Sequence, residues 1–209
     1  MIKLHHCARA RSFRVLWTLE EMGLDYELVV EPFPPRFASP NYLGINPLGT
    51  VPTAFVDGHL MTESAAICHY LVTRHGPTPL AVTPDEDGYA DYLNFLVMGE
   101  ATLTFPQTVY LRYAMFEPDE RKIPQAAEDY KHWFARRLEA AFMLIKGPYV
   151  AAGRFTAADI SLGYSIYLAQ WIGIGDAVCA PAAEYFANLK KRDGFARAVA
   201  AETSQAAKG

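Results

Sequence analysis

Glu63 and Ser64 pair a carboxylate with a hydroxyl just ahead of a predicted helix, in the segment TESAAI. Serine is a favoured helix N-cap, and the free N–H groups at a helix N-terminus favour an anion. Together they suit a zwitterionic α-amino acid, because Glu63 can take the ammonium while Ser64 and the helix N-terminus take the carboxylate. Read alone, the dipeptide also fits simple helix capping, and that alternative stays open.

A second candidate lies at Val51–Pro52, in the segment TVPTAF. Proline cannot donate to a sheet ladder, yet Pro52 directly precedes an apolar strand. A cis Val51–Pro52 bond would turn the Val51 backbone outward and expose its N–H and C=O to an extended, peptide-like ligand. The alternative is a trans proline at the start of a strand, which is the commoner arrangement.

The stretch HHCARARSFR, residues 5–14, contains a cysteine, three arginines and a serine. Ser12 can cap the helix that follows it or donate its hydroxyl to a ligand. Cys7 ends a predicted strand with no second cysteine nearby, which favours a buried, inert thiol. His5 and His6 face opposite sides of that strand, so they form no metal pair, and we expect no metal.

The periodicity of the first part predicts the elements that position these residues. IKLHHC predicts a strand, and a helix follows from Ser12 to a C-cap at Gly23. LDYELVVE predicts a second strand, whose near-continuous apolar character is typical of a buried parallel strand. An irregular proline-rich segment spans 32–47, the Asp57-Gly58 pair predicts a hairpin, and SAAICHYLVTRHG predicts a helix. The result is a small mixed sheet with helices.

After GPTPLAVTPDEDG the chain becomes helical in pattern, with long amphipathic stretches over 89–113 and 123–145. The helical part continues with a further stretch, AADISLGYSIYLAQWIG, and ends with two shorter helices from Pro181. Thr156 and Asp159 fit a capping box that serves folding. We therefore predict an α/β domain over 1–78 and an all-helical domain over 87–209, with a linker at 77–86.

Composition narrows the classes of function. The 209 residues carry a formal net charge of −4, which argues against a nucleic-acid partner. No apolar run is long enough to span a bilayer, and MIKLHH lacks the layout of a secretory signal, so we expect no membrane association. Three widely spaced cysteines imply no disulfide framework and favour the cytoplasm.

The order strand, helix, strand, long loop, NPLGTVP, hairpin, ES and helix, followed by a helical part with GRFTAAD, resembles the cytosolic glutathione transferase (GST) family. The resemblance covers essentially the whole chain, and RVLWTLEEMGLDYEL and AGRFTAADISL are similar to bacterial members. It implies the GST fold, an α/β thioredoxin-like N-terminal domain plus an all-α C-terminal domain. It also implies a homodimer that uses glutathione as co-substrate and activates its thiol for attack on a small-molecule electrophile.

The resemblance also assigns roles to individual residues. Val51 and a cis Pro52 would bond the cysteinyl backbone of glutathione, and Glu63 with Ser64 would hold its γ-glutamyl end. Arg36, which is the only cation between residues 32 and 50, is the candidate for the glycyl carboxylate. The electrophile would lie between the domains, where the candidate lining residues are Phe105, Pro106 and Tyr110.

Activation of the thiol is where this chain departs from the family pattern. Members carry a Ser, Thr or Cys at the start of the first helix, and aligning on RVLW places Ala10 there. Lowering a thiol pKa by two units needs about 2.7 kcal/mol. A helix N-terminus supplies roughly 0.3–1 kcal/mol when exposed and up to about 2 when partly buried. We predict that Ser12 supplies the rest with Arg11 assisting, and Arg9 is a further candidate.

Two other functions remain open from the sequence. One is a glutathione-dependent thiol–disulfide oxidoreductase that uses Cys7. The other is a non-catalytic, GST-like module that binds a partner protein, which the alanine at position 10 favours and the retained Glu63, Ser64 and Pro52 oppose.

Overall fold

The computed structural model describes residues 1–206, which form two compact units. The first unit contains Met1–Ala81 together with residues 190–206, and the second contains Val82–Leu189. In chain order the main helices and strands are β1 (Ile2–His6), α1 (Phe13–Met22), β2 (Tyr26–Val30), α2 (Pro35–Ala38), α3 (Tyr42–Ile45), β3 (Thr53–Val56), β4 (His59–Met61), α4 (Ser64–Arg74), α5 (Tyr89–Met98), α6 (Phe105–Leu111), α7 (Pro124–Leu144), α8 (Ala157–Trp171), α9 (Ala180–Leu189) and α10 (Asp193–Ala206).

The first unit is built on a four-stranded sheet with the strand order β2-β1-β3-β4. β1 and β2 are parallel, whereas β3 runs antiparallel to both β1 and β4. Asp57 and Gly58 have φ values of 51° and 84°, the left-handed backbone that a two-residue hairpin turn needs. The predicted thioredoxin-like mixed sheet is confirmed. β2 is only half-buried, contrary to its predicted burial, because it lies at the edge of the sheet.

Helices cover the sheet because their apolar residues recur on one side. In α1 these are Val15, Leu16 and Leu19, all fully buried, and the helix packs against α4 and α10. Gly23, with φ of 63°, ends α1 and donates its N–H to the Leu19 carbonyl, so the predicted C-cap is confirmed. The predicted irregular segment 32–47 contains two single-turn helices, α2 and α3.

The C-terminal helix differs from the predicted domain division. The prediction placed it in the helical domain 87–209, but α10 belongs to the compact unit that contains the sheet. Phe195 packs edge-on against Trp17 at 5.0 Å between ring centroids, and Arg192 donates two hydrogen bonds to Glu21, each of 2.8 Å. Periodicity shows that a helix has an apolar face, but it does not show which element that face contacts.

The second unit is helical apart from one isolated bridge. The stretch predicted as one helix over 89–113 is instead divided by π-helical segments at Gly99–Thr104 and Arg112–Phe116. At the start of α8, the Thr156 side chain accepts from the helix backbone and Asp159 accepts from the Thr156 N–H, so the predicted capping box is confirmed. Within residues 1–206, no helix has the length and apolar character that crossing a membrane requires.

Gly99→Ala is expected to destabilise the second unit by about 1–3 kcal/mol, because a side chain there overpacks the contact with α8. A Cβ at Gly99 would lie 2.5 Å from the backbone carbonyl oxygen of Ser161 and 2.4 Å from its hydroxyl. Thermal unfolding followed by circular dichroism measures the effect. Gly147→Ala is the matched control, since a Cβ at Gly147 meets nothing within 4 Å, and an equal melting temperature for both variants would contradict the prediction.

Candidate functional site

The candidate binding residues meet at one end of the sheet because the strand register brings them there. β3 pairs with β4 so that Ala54 lies opposite Met61, and continuing this register past the ladder places Val51 opposite Ser64 and Pro52 opposite Glu63. On its other side β3 pairs Thr53 with His5, which continues to Val51 opposite Cys7. The contact between Cys7 and Val51 in one buried cluster agrees with that continuation.

The Val51–Pro52 peptide bond is cis, as the family resemblance implies, and not trans. Val51 itself is nearly buried, with 8% of its surface exposed. Among residues 1–206, no hydrogen bond joins the Val51 amide or carbonyl to another protein group. Buried main-chain N–H and C=O groups are nearly always hydrogen-bonded in proteins. The unbonded N–H and C=O of Val51 are therefore available as one donor and one acceptor for an extended ligand.

Glu63 and Ser64 stand at the start of α4, where the predicted helix begins. Glu63 occupies the N-cap position, is exposed, and makes no side-chain hydrogen bond to the helix. Ser64 is thus the first helical residue and not the N-cap, so the simple capping alternative is absent. The first N–H groups of α4 have no partner one turn earlier in the helix, so the N-terminus can bind an anion.

Ser64 is buried and is held by a residue that the sequence reasoning did not single out. Arg14, in the first turn of α1, is fully buried and donates from Nη1 to the Ser64 hydroxyl at 3.3 Å. A charged guanidinium enclosed beside the start of α4 adds positive charge where an anion is predicted to bind. The only sequence signal was an arginine beside the apolar Val15 and Leu16.

The Ser12 hydroxyl is engaged within the turn between β1 and α1. Ser12 is fully buried and its side chain makes no cap to α1, so the expected cap is absent. Its oxygen accepts from the Cys7 N–H at 3.2 Å and donates to the Cys7 carbonyl at 3.3 Å. Because a hydroxyl has one proton, that proton goes to the Cys7 carbonyl in this geometry. Ser12 thus shapes the turn, and its role toward a bound thiol stays a prediction.

Ala10 occupies the middle of that turn and packs against the cluster of Cys7, Tyr42 and Val51. Its own N–H donates to the Cys7 carbonyl at 3.1 Å, and its carbonyl accepts from Phe13 at 2.8 Å. Ala10 therefore lies just before the N-terminus of α1 and packs on the cluster that contains Val51. Arg11, which follows it, is half-buried and adds a positive charge next to the same helix end.

Cys7 is enclosed where β1 ends, and its thiol faces the Pro32 carbonyl at 3.8 Å. Burial, with a smaller contribution from the negative charge of Glu31, raises the pKa of Cys7 to about 12. A thiol with such a pKa is a poor nucleophile at neutral pH, because the thiolate is the reactive form. The preferred expectation of a buried thiol is confirmed, and the disulfide-exchange role loses its support.

A small alkylating reagent at neutral pH is expected to modify Cys179 and to leave Cys7 and Cys68 intact. Cys179 is partly exposed, whereas the other two are buried, and burial raises the pKa of Cys68 to about 11. Peptide mass spectrometry after a short reaction measures the pattern, and the unfolded protein, in which all three react, is the control. Early labelling of Cys7 in the folded protein would contradict the prediction.

Arg36 is exposed on α2, where its guanidinium lies 4.7 Å from the ring centre of Phe37. The backbone nearby is close to the loop that leads to Val51, since a Cβ on Gly49 would lie 2.7 Å from the Arg36 Cβ. Gly49 has φ of 64° and suits this close approach. Arg36 is thus a cation on the loop that approaches the site, as a donor to the glycyl carboxylate would be.

The three candidate electrophile residues belong to the second unit and do not share one surface there. Phe105 is exposed at the start of α6, Pro106 is buried, and Tyr110 is half-buried. Phe105 and Tyr110 are five positions apart on a helix, and therefore point in different directions.

Among residues 1–206, no group of three or more His, Cys, Asp or Glu side chains is arranged to hold a metal.

Comparison with known proteins places this geometry in context. Residues 9–74 match the family model described as "Glutathione S-transferase, N-terminal domain". Glutathione S-transferase 3 of Schizosaccharomyces pombe is 30% identical over 184 residues, covering 81% of this chain and 75% of that protein. Glutathione S-transferase F9 of Arabidopsis thaliana is 31% identical over 186 residues and 83% of each chain. A sphingomonad glutathione S-transferase solved in complex with glutathione has a TM-score of 0.82 at 24% identity, covering 96% of this chain and 98% of that one.

Proposed function

The chain belongs to the glutathione S-transferase family, and we propose that it joins glutathione, its co-substrate, to a small electrophile through a site built on the sheet end of its first unit. In this reaction the glutathione sulfur forms a bond to an electrophilic carbon. The thiol proton goes to solvent. In a substitution the leaving group departs with its electron pair, and in an addition the π electrons of the attacked double bond shift to its electron-withdrawing group, which then takes up a proton. The protein's tasks are to bind glutathione in an extended form and to favour its thiolate.

The observation that carries the proposal is the row of groups formed by Val51, Pro52, Glu63 and Ser64. The unpaired amide and carbonyl of Val51 suit the cysteinyl backbone of glutathione in the manner of an added strand. The exposed Glu63 carboxylate suits the γ-glutamyl ammonium, and Ser64 with the α4 N-terminus suits the adjacent carboxylate. We assign the glycyl carboxylate to Arg36.

Thiolate formation is assigned to the N-terminus of α1 with Arg11. An extended glutathione backbone on Val51 brings its sulfur toward Ala10, which packs on the same cluster. A helix N-terminus contributes up to about 2 kcal/mol when partly buried, and a cation beside it adds to the same stabilisation of negative charge. Ser12 supports this indirectly, because its hydroxyl holds the turn that leads into the helix.

Of the three residues predicted to contact the small electrophile, we retain Phe105, because it is an exposed aromatic ring at a helix start. Pro106 is buried and Tyr110 points away from Phe105, so neither is proposed as a contact. We also propose a homodimer in the cytoplasm, without nucleic-acid or membrane partners. The family resemblance supports the dimer, and three free cysteines within residues 1–206 support a reducing compartment.

Titration calorimetry with glutathione tests the binding step, and turnover of a chlorodinitrobenzene tests the transfer step. We expect binding in the micromolar to millimolar range and formation of the aryl thioether. Binding without turnover of a panel of electrophiles would favour the non-catalytic module. No binding at millimolar glutathione would overturn both this proposal and the disulfide-exchange alternative.

A further inference from the structure

A buried carboxylate from the other end of the chain contacts the turn between β1 and α1. Glu202 lies on α10 with 4% of its surface exposed. Its Oε2 atom accepts from the Arg9 N–H at 3.0 Å and lies 3.2 Å from Nε2 of the fully buried His6. The two contacts flank Cys7 in sequence, so Glu202 holds the last residue of β1 and the middle of the turn together.

The turn has an unusual backbone at the residue that Glu202 contacts. Arg9 has φ of 62°, the left-handed backbone that is unusual for a residue other than glycine. Arg9 lies outside the strands and helices, and its part-buried N–H donates to the Glu202 carboxylate, which is a charge-assisted hydrogen bond. The turn is stabilised by a hydrogen bond between two of its own residues, from the Cys7 N–H to the Ser12 hydroxyl. It is also stabilised by a hydrogen bond from the Arg9 N–H to Glu202 of α10.

α10 is anchored to the first unit by contacts that do not involve Glu202. Arg192 pairs with Glu21 at 2.8 Å, and Arg197 pairs with Glu20 at 3.0 Å. Phe195 packs against the rings of Phe13 and Trp17. Loss of the Glu202 carboxylate is therefore expected to release the turn while the helix remains in place.

We propose that Glu202 is a positioning residue for thiol activation, which acts by fixing the turn at residues 7–12 so that Ala10 and the α1 N-terminus face the bound sulfur. This inference rests on the proposed function. It assigns to the C-terminal helix a part in the chemistry of a glutathione site whose other proposed residues lie between Ala10 and Ser64. Glu202 itself contacts no substrate in this scheme, because it acts through the Arg9 backbone.

Glu202→Ala, Glu202→Gln and the control Arg197→Ala distinguish positioning from simple stabilisation. The control removes an ion pair between α10 and α1 but touches no atom of the turn. The thiolate absorbance of bound glutathione is followed against pH, with kcat and KM for turnover of a chlorodinitrobenzene and the glutathione Kd by calorimetry. Circular dichroism establishes that each variant is folded.

For Glu202→Ala we expect the midpoint of the thiolate titration of bound glutathione to rise by about one pH unit, and kcat at neutral pH to fall about tenfold. The glutathione Kd is expected to stay within about threefold, since Val51, Glu63 and Ser64 are unchanged. Glu202→Gln keeps an oxygen for the Arg9 N–H but loses the charge, so we expect about half of that shift. Arg197→Ala is expected to match the wild type.

A folded Glu202→Ala variant whose thiolate titration and kcat match the wild type would overturn the inference. If that variant does not fold, Glu202→Gln decides: a shift in the same direction supports positioning, and an unchanged titration refutes it. An equal shift in Arg197→Ala would also refute it, because general loosening of α10 would then suffice. Failure of the proposed function is separate, since the wild-type protein would then bind no glutathione at all.

Discussion

Glu63→Ala is expected to weaken glutathione binding by about tenfold, because the ammonium of the γ-glutamyl group loses its only assigned carboxylate. Hydrogen bonds between charged groups are the stronger ones, and the exposure of Glu63 to solvent keeps the expected effect at the lower end of their range. The Kd from calorimetry measures the change. Since this contact is the same in ground and transition states, kcat at saturating glutathione should change little.

Glu27→Ala is the matched control for the loss of one exposed acid from the first unit. Glu27 lies on the edge strand β2, where it pairs with Lys3 at 2.9 Å, and neither residue belongs to the candidate site. We expect its glutathione affinity to equal that of the wild type. If Glu63→Ala also binds normally, the γ-glutamyl pocket lies elsewhere, and the assignment of Ser64 to the neighbouring carboxylate fails with it.

The arrangement of the proposed binding residues could be predicted because its signals are local. A two-residue Asp57-Gly58 turn allows few strand alignments, so it fixes the register of β3 and β4. That register alone places the residues around Val51 opposite those around Ser64. A serine that precedes an apolar periodic stretch marks the helix start, which the structure confirms at Ser64.

The contacts around the turn between β1 and α1 could not be predicted, because they are not local or depend on an unusual backbone. A serine near a helix start reads as a cap or as a free donor, yet Ser12 bonds to Cys7 across a turn that contains the left-handed Arg9. Glu202 is 193 residues away from Arg9, and no pattern in the sequence links them. Arg14 similarly joins α1 to Ser64, 50 residues further along the chain.

The fold follows the same division between local and distant information. Helices and strands were predictable from periodicity, and the order of the elements was enough to indicate the family. The half-buried state of β2 and the packing of α10 on the first unit depend on which neighbours an apolar face finds. Side-chain periodicity specifies that such a face exists and leaves its partner undetermined.

Asp159→Ala is expected to lower the melting temperature by about 10 °C, which corresponds to a loss of about 3 kcal/mol in a protein of this size. The Asp159 carboxylate is buried and accepts from the Thr156 N–H at 2.7 Å, the Val150 N–H at 3.0 Å and the Tyr185 hydroxyl at 2.7 Å. Removing the acceptor leaves several buried donors unpaired, and each unpaired donor costs about 1–3 kcal/mol.

A graded series separates the capping contribution from the rest of this network. Thr156→Ala loses the cap to the Ala158 N–H and the bond from its hydroxyl to Asp159. We therefore expect the free energy of unfolding to fall by about 1 kcal/mol and the melting temperature to fall by a few degrees. Asp129→Ala, an exposed acid of α7 that accepts from Gln125, should match the wild type. A melting temperature for Asp159→Ala no lower than that of Thr156→Ala would mean that the bonds to Val150 and Tyr185 contribute nothing. In that case the buried carboxylate would act only as a helix cap, and Asp159 would not stabilise the packing of α8 in the second unit.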